Sequence, residues 1–394
     1  MSLYAAADEA AIRAAARIRA WTRSGLLTPA QGSAIESGLR PDLKRTNRYL
    51  RLALFVFGTI AVWAGAGLCL LILDVREDWA IGWIAILAGV IDLALAAFLV
   101  MRFRLYRFGV EEALAVWSVV FVAFGAGFLM SSGARGGDTP ALVACVTAAF
   151  ASVATYWLFG FLYAACAAVG ASAATAFYLG LPRFAAHMVS ASILLGAFLT
   201  ARMLRRRHGD DYPGDDYGVI EAVAWVGCYA VLNLRLSLDF MPWFLRSRSD
   251  VPPAFYWATY AAIWLMPPIG LALALRDKHR PMIWGGLLVA LGTLLTNKAY
   301  LGWEPHTWDP ILLGVLLGGS AIAIRRWLIA GAGANRFGFV AQPLVASVDK
   351  DGLGVLSSVA VAAQPFAVRT RTETPDFEAG RGGRSGGAGG GADF

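Results

Sequence analysis

Charge is what this chain has least of. Only 15% of its 394 residues are Asp, Glu, Lys or Arg, while 58% are hydrophobic. An ordinary soluble domain carries roughly 25% charged residues. A water-facing globule of this length needs a charged surface, so that class is excluded. Disorder over most of the chain is excluded too, because disorder requires low hydrophobicity. Cysteine is also scarce. Cys69, Cys145, Cys166 and Cys228 all fall in apolar stretches, with no CxxC pair and no histidine at metal-ligand spacing. They read as small apolar residues and carry no redox message. The chain contains no GxxxxGK[ST] and no HExxH, which sets aside a P-loop nucleotide site and that class of zinc enzyme. No catalytic residue, metal site or cofactor is expected.

Long apolar runs are abundant instead. Residues 1–51 are polar and basic, and the first apolar run starts at Leu52, so no cleavable signal peptide is expected. A hydrocarbon core of about 30 Å takes about 20 apolar residues per helix. Ten segments qualify: Leu52–Leu73, Ala80–Met101, Ala113–Met130, Ala141–Trp157, Phe161–Tyr178, Phe184–Ala201, Val219–Leu234, Ala254–Leu275, Met282–Thr296 and Ile311–Ile324. Residues 140–180 hold no charge at all. That is too long for one span and suits two joined at Phe159–Gly160. The expected fold class is an all-α transmembrane helical bundle of about ten spans. Residues 1–51 form a cytoplasmic helical hairpin and basic linker, and 52–326 the bundle. Residues 327–379 form a cytoplasmic C-terminal segment, and 380–394 a Gly-rich flexible tail.

The net charge of +7 gains meaning once it is placed. With the N-terminus inside, 27 of the 34 Lys and Arg fall in inside segments and 7 in outside ones. The Arg102, Arg104 and Arg107 cluster, the Arg205–Arg207 run and the Arg276, Lys278 and Arg280 cluster all land on one side. This is the asymmetry expected of cytoplasmic loops. The basic charge orients the chain and meets anionic lipid headgroups, so no nucleic-acid partner is needed. The outside loops are short, the longest being 235–253, and leave no room for an external catalytic domain.

Residues 7–39 read as the helical hairpin. Asp8 and Glu9 open its first helix, where acids suit the helix dipole. Ile12, Ala15, Ala16 and Ile18 give it an apolar stripe, and Ser24-Gly25 stops it. Thr28 caps the second helix, Pro29 takes its first position and Gln31 completes a capping box. Trp21, Leu26, Leu27 and Ile35 are expected to pack between the two helices. The hairpin is read either as a cap on the bundle or as a docking module for a protein partner.

The string Trp21-Thr22-Arg23-Ser24-Gly25-Leu26-Leu27-Thr28-Pro29-Ala30-Gln31 resembles the opening of a bacterial membrane-protein family labelled domain of unknown function 2157. Members of that family share a short helical hairpin with W-x3-G-L-[IL] followed by many apolar spans. The Gly-rich tail ending in Phe394 also resembles tails of bacterial membrane proteins. The resemblance implies a bacterial cytoplasmic-membrane protein, and the charge placement puts both termini in the cytoplasm. It implies no activity and no site residues.

Ionisable residues within a span are costly, and mark functional candidates. Asp92 lies near the middle of the second span. Its helical neighbours Ala85, Ala88, Gly89 and Ala96 are small, so this face can approach another helix closely. Asp92 is read either as a proton- or cation-coupling group or as a structural acid. Glu221 lies about one turn into the seventh span, where it can snorkel to the surface. Pro267-Pro268 at the centre of the eighth span mark a candidate broken helix, of the kind that lines transporter sites. Gly314 and Gly318 form GxxxG, a helix-packing face, read as intramolecular. The Gly-Asp-Asp-Tyr repeat over 209–217 reads as a solvated, self-neutralising loop beside Arg205–Arg207. Gly383-Arg384-Ser385-Gly386-Gly387 matches G-x-S-x-G but lacks the strand and helix that a nucleophile elbow needs. The leading functional expectation is a small-solute or ion permease. A non-catalytic scaffold or sensor recruiting partners through the hairpin and tails is the alternative, with a lipid-linked membrane enzyme third.

Overall fold

A computed structural model describes residues 3–23, 25–39, 43–74, 77–131, 137–208, 213–236, 252–277, 279–303, 306, 309–330, 335–336 and 339–340. Most of the expected C-terminal segment, the Gly-rich tail with its G-x-S-x-G match, and residues 209–212 of the acidic loop lie outside these.

Helix follows helix, as the apolar runs require. The hairpin comprises α1 (Ala6–Arg23) and α2 (Pro29–Gly38). Thr28 caps α2 with both bonds of the capping box, and Gly25 turns the chain at φ +77°. The expected packing between the two helices differs. Trp21 is 48% exposed and Leu26 and Ile35 are exposed as well, because Thr22 lies directly against Gly32 and closes the hairpin through small groups instead. Of the expected stripe, Ile12, Ala15 and Ile18 are buried, while Ala16 is exposed.

The bundle continues with α3 (Arg48–Ile72), α4 (Asp78–Phe103), α5 (Val110–Ser131), α6 (Thr139–Phe159), α7 (Leu162–Ala174), α8 (Arg183–Arg207), α9 (Pro213–Leu232), α10 (Pro253–Arg276), α11 (Arg280–Leu301) and α12 (Asp309–Ile329). Asn335–Arg336 and Phe339–Val340, strands β1 and β2, pair antiparallel after α12. Six of these helices, α3, α4, α5, α6, α8 and α10, are long and apolar enough to cross a membrane. The other four expected spans are helical too, as α7, α9, α11 and α12. Gly160, at φ +64°, turns the chain between α6 and α7, and Phe159 stacks on Phe161 across it at 5.2 Å. The 13 residues of α7 run on into a 3-10 turn, Thr175–Tyr178. At about 1.5 Å and 2.0 Å per residue the pair reaches about 28 Å, close to one hydrocarbon thickness.

Small residues set the closest approaches. A Cβ on Gly89 of α4 would stand 2.7 Å from Ser118 O of α5, and one on Gly125 would stand 2.5 Å from Gly82 O. This is the small-residue face around Asp92, and it does pack on a neighbouring helix. The outer faces remain apolar: Phe57 is 67% exposed and Leu71 77% exposed on α3. Apolar surface on this scale is stable against lipid rather than water.

Candidate functional site

Five connections gather at one end of the bundle. Leu3 N–H donates to Leu158 O at 2.8 Å, tying the start of the chain to the α6–α7 turn. Lys44 N–H donates to Arg104 O at 2.9 Å and Tyr106 N–H to Lys44 O at 3.0 Å. These two bonds lock the linker after the hairpin onto the α4–α5 loop. Arg13 of α1 reaches Asp216 of α9 at 3.9 Å. The starts of α9 and α11 touch through Gly218 and His279. Asp277, at the end of α10, accepts from Arg202 Nη2 of α8 at 2.7 Å. The hairpin, the three arginine clusters and the Phe159–Gly160 turn therefore share one end.

The hairpin is seated there by apolar contact. Tyr4, Ile12, Tyr106, Phe159 and Phe161 are buried in one cluster, and Tyr4 meets Tyr106 edge-on at 4.9 Å. Burial, with the Glu111 carboxylate nearby, pushes the Tyr4 phenol well above its ordinary range.

Charges at this end are used pairwise. Glu221 is fully buried. It accepts from Arg202 Nη1 at 2.9 Å and Arg205 Nε at 2.7 Å, while Arg205 Nη2 reaches Asp277 at 2.9 Å. The expected snorkelling of Glu221 is thus corrected. The carboxylate stays inside because two guanidiniums come in to it, where a fork of donors meets both oxygens. Glu112 is held in the same manner by Arg51, through Nε at 2.6 Å and through Nη2. Neighbouring Glu111 is fully buried and accepts from Phe108 N–H. The segment Pro213–Tyr217, expected as loop, is the first turn of α9.

Pro267 and Pro268 do not break α10, which is one helix from Pro253 to Arg276. Pro267 cannot donate to Ile263 O, but Thr293 Oγ1 of α11 does, at 2.9 Å. A hydroxyl from the next helix replaces the lost backbone donor, which is how membrane helices tolerate interior proline. Thr293 also lies 3.2 Å from Tyr229 Oη, which accepts from Asn233 Nδ2 at 2.8 Å. Asn233 Nδ2 donates on to Thr296 Oγ1 at 2.9 Å. At the opposite end from the hairpin, Tyr256 Oη donates to Tyr300 O at 2.8 Å and Tyr260 Oη to Asn297 Oδ1 at 2.8 Å. The sequence reading missed this uncharged network because it weighed only ionisable groups and prolines. Its signal was Thr, Asn and Tyr recurring in the short, less apolar spans.

Asp92 is half-buried on α4, with Ala96 beside it fully buried. Its Oδ2 is buried without a hydrogen-bond partner among the described residues. Asp92, Glu221 and Pro267-Pro268 are not brought together: they sit on α4, α9 and α10 with separate neighbours. Gly314 and Gly318 meet nothing within 4 Å among the described residues, so the expected packing across this face is not seen there. The described residues also contain no group of three or more His, Cys, Asp or Glu placed to hold a metal ion.

No family model, curated protein or solved structure matches this chain.

A cleft of about 470 Å³ lies under the hairpin. Arg13 and Arg17 reach it from α1, Arg45 from the linker, Arg48 and Arg51 from α3, and Arg107 from the α4–α5 loop. Asp216 supplies the one carboxylate on its wall.

Proposed function

We propose that the chain is a multi-pass protein of a bacterial cytoplasmic membrane that works as a non-catalytic sensor or scaffold. Its working part is the N-terminal hairpin. The observation that carries this reading is the seat of that hairpin on the bundle, through Tyr4, Ile12 and the Leu3–Leu158 bond. By contrast, the polar interior of α9–α11 is engaged with itself, and the carbonyl freed by Pro267 is already satisfied. The exposed Trp21, Leu26 and Ile35 of the hairpin suit contact with a further protein.

The proposal includes ten crossings, both termini in the cytoplasm and membership of the 2157 family. Support for ten crossings comes from the alternation of connections. Every expected inside loop up to the α10–α11 junction lies at the hairpin end. Support for the orientation comes from the arginines concentrated there. Anionic headgroups are the lipid partners this charge fits.

Photocrosslinking from Ser33→Cys on α2 in native membranes tests the reading. One defined partner should be captured, and Ile12→Asp, which unseats the hairpin, should abolish the capture. Capture of nothing above background would sink it.

Permeation is kept as a second reading on one observation, the partly buried Asp92 with an unpaired oxygen in mid-span. Purified protein in proteoliposomes would then move a cation or proton, and Asp92→Asn would stop it. A flux unchanged by that substitution removes the motive for this reading.

A further inference from the structure

Four guanidiniums in the cleft under the hairpin stand out because no carboxylate among the described residues neutralises them. Arg51 is taken by Glu112, and Arg13 lies near Asp216. Among the described residues, Arg17, Arg45, Arg48 and Arg107 have no carboxylate within ion-pair distance. They come from α1, the linker, the start of α3 and the α4–α5 loop, so four separate segments deliver like charge to one cavity. Two unit charges at 4 Å repel by about 1 kcal/mol in water and by more near a protein surface. The local backbone does not relax this. Arg107 is held in the left-handed region at φ +50°, uncommon for a residue with a side chain. The Lys44–Arg104 and Lys44–Tyr106 bonds also clamp the linker and the loop together.

A second cavity, of about 560 Å³, adjoins the first and shares Arg48 and Arg51 with it. Its other walls are Leu52 and Phe55 of α3, Val116 of α5, Tyr163 of α7 and Glu112, whose carboxylate is held by Arg51. One side chain, Arg48, therefore faces a cationic cleft on one hand and an apolar groove on the other.

We propose that the cleft binds a phosphate group, and that the adjoining groove takes the acyl chain of the lipid carrying it. Arginine forks match phosphate oxygens in pairs of parallel hydrogen bonds. The cleft is concave and large enough for a headgroup, and the groove continues it along the lipid-facing side of α3. An anion seated there bridges the hairpin to the bundle, because Arg17 belongs to one and Arg48 and Arg107 to the other. Phospholipid would then stabilise hairpin seating. This rests on the reading of the hairpin as the working part, and fails separately from it. The Ser33 crosslink tests the partner, and lipid binding tests the cleft.

Native mass spectrometry of the full chain in detergent supplies the test. The probes are phosphatidic acid, phosphatidylglycerol, phosphatidylcholine, glycerol phosphate and inorganic phosphate. The anionic lipids should bind at least tenfold more tightly than phosphatidylcholine. Arg45→Gln/Arg48→Gln/Arg107→Gln should weaken them about a hundredfold, from about 1 kcal/mol for each of three basic residues near the membrane surface. The control Arg325→Gln/Arg326→Gln, which removes two positive charges from α12 away from the cleft, should leave them unchanged. Phe55→Ala should weaken the lipids and not glycerol phosphate. Should glycerol phosphate or inorganic phosphate bind as tightly as the lipids and show the same arginine dependence, the phosphate site stands and its occupant is soluble. Equal losses in the triple variant and the α12 control, or no preference for phosphate-bearing anions, would overturn the proposal. If the triple variant does not fold, Arg17→Gln and Arg45→Gln taken singly carry the same comparison.

Discussion

Thr293 shows how one hydroxyl can decide whether a proline is tolerated. Pro267 leaves Ile263 O without its helical donor, and Thr293 Oγ1 supplies one across the α10–α11 contact. Thr293→Val keeps the shape and removes the donor. We expect it to destabilise the protein by about 1–3 kcal/mol, the cost of a buried unpaired carbonyl. Pro267→Ala restores a backbone N–H, so Thr293→Val should cost clearly less in that background. Thermal unfolding of the two single variants and the double variant in detergent measures this coupling; additive losses would contradict the assignment. Glu221→Gln makes a different point. It leaves Arg202 and Arg205 facing a neutral amide in a buried site, and loss of one partner from such a network costs about 3–5 kcal/mol. The same melting assay should show Glu221→Gln well below Asp138→Asn, an exposed acid before α6 that makes no side-chain cap bond.

Hairpin seating is the event that matters among the elements. The apolar stripe of α1 was legible from spacing alone, and so was the cap of α2. What covers the stripe was not, because Tyr106, Phe159 and Phe161 are contributed by connections far along the chain. Ile12→Asp places a charge in that contact and should release α1 and α2. The linker at Lys44 and Arg45 would then lose its bonds to the α4–α5 loop and become a trypsin site in folded protein, with α3–α11 remaining protected. Gly109 governs the other side of the same junction. It adopts φ +116° and lies directly against Arg51 O of α3, so a Cβ there meets backbone that cannot swing away. Gly109→Ala should push the loop off α3 and expose the same cleavage site, while Gly38→Ala, which meets nothing within 4 Å, should not.

The whole molecule is defined by which connections share an end. Cysteines introduced for Thr28, Arg104 and Gly160 should react with a membrane-impermeant maleimide only after cells are opened. Cysteines for Asp138 and Gly180 should react in intact cells. Gly160 is the most informative position, since labelling from outside would place the α6–α7 turn on the opposite side, and no labelling even in opened cells would make α6 and α7 a single crossing. A chain with ten crossings places Gly160 with the hairpin, where the Leu3–Leu158 bond also puts it.

The runs of apolar residues, and the scarcity of charge between them, determine by themselves that this protein is a helical bundle for a lipid environment. Burial in hydrocarbon demands helices whose backbone bonds are internal. That demand is local, so it is written residue by residue and can be read that way. The turn at Phe159–Gly160, the capped hairpin and the small face around Asp92 are local in the same sense. Only the tertiary structure decides which polar groups meet. Glu221 is a buried network member rather than a surface acid because Arg202 and Arg205 on α8 come to it. Pro267 is accommodated without a break in α10 because Thr293 on α11 donates to Ile263 O. The arginines of the first third of the chain, legible as a sign of sidedness, converge on one cleft because α1 folds back onto the α4–α5 loop. Such pairings depend on contacts between residues distant in sequence, and no spacing along the chain encodes them.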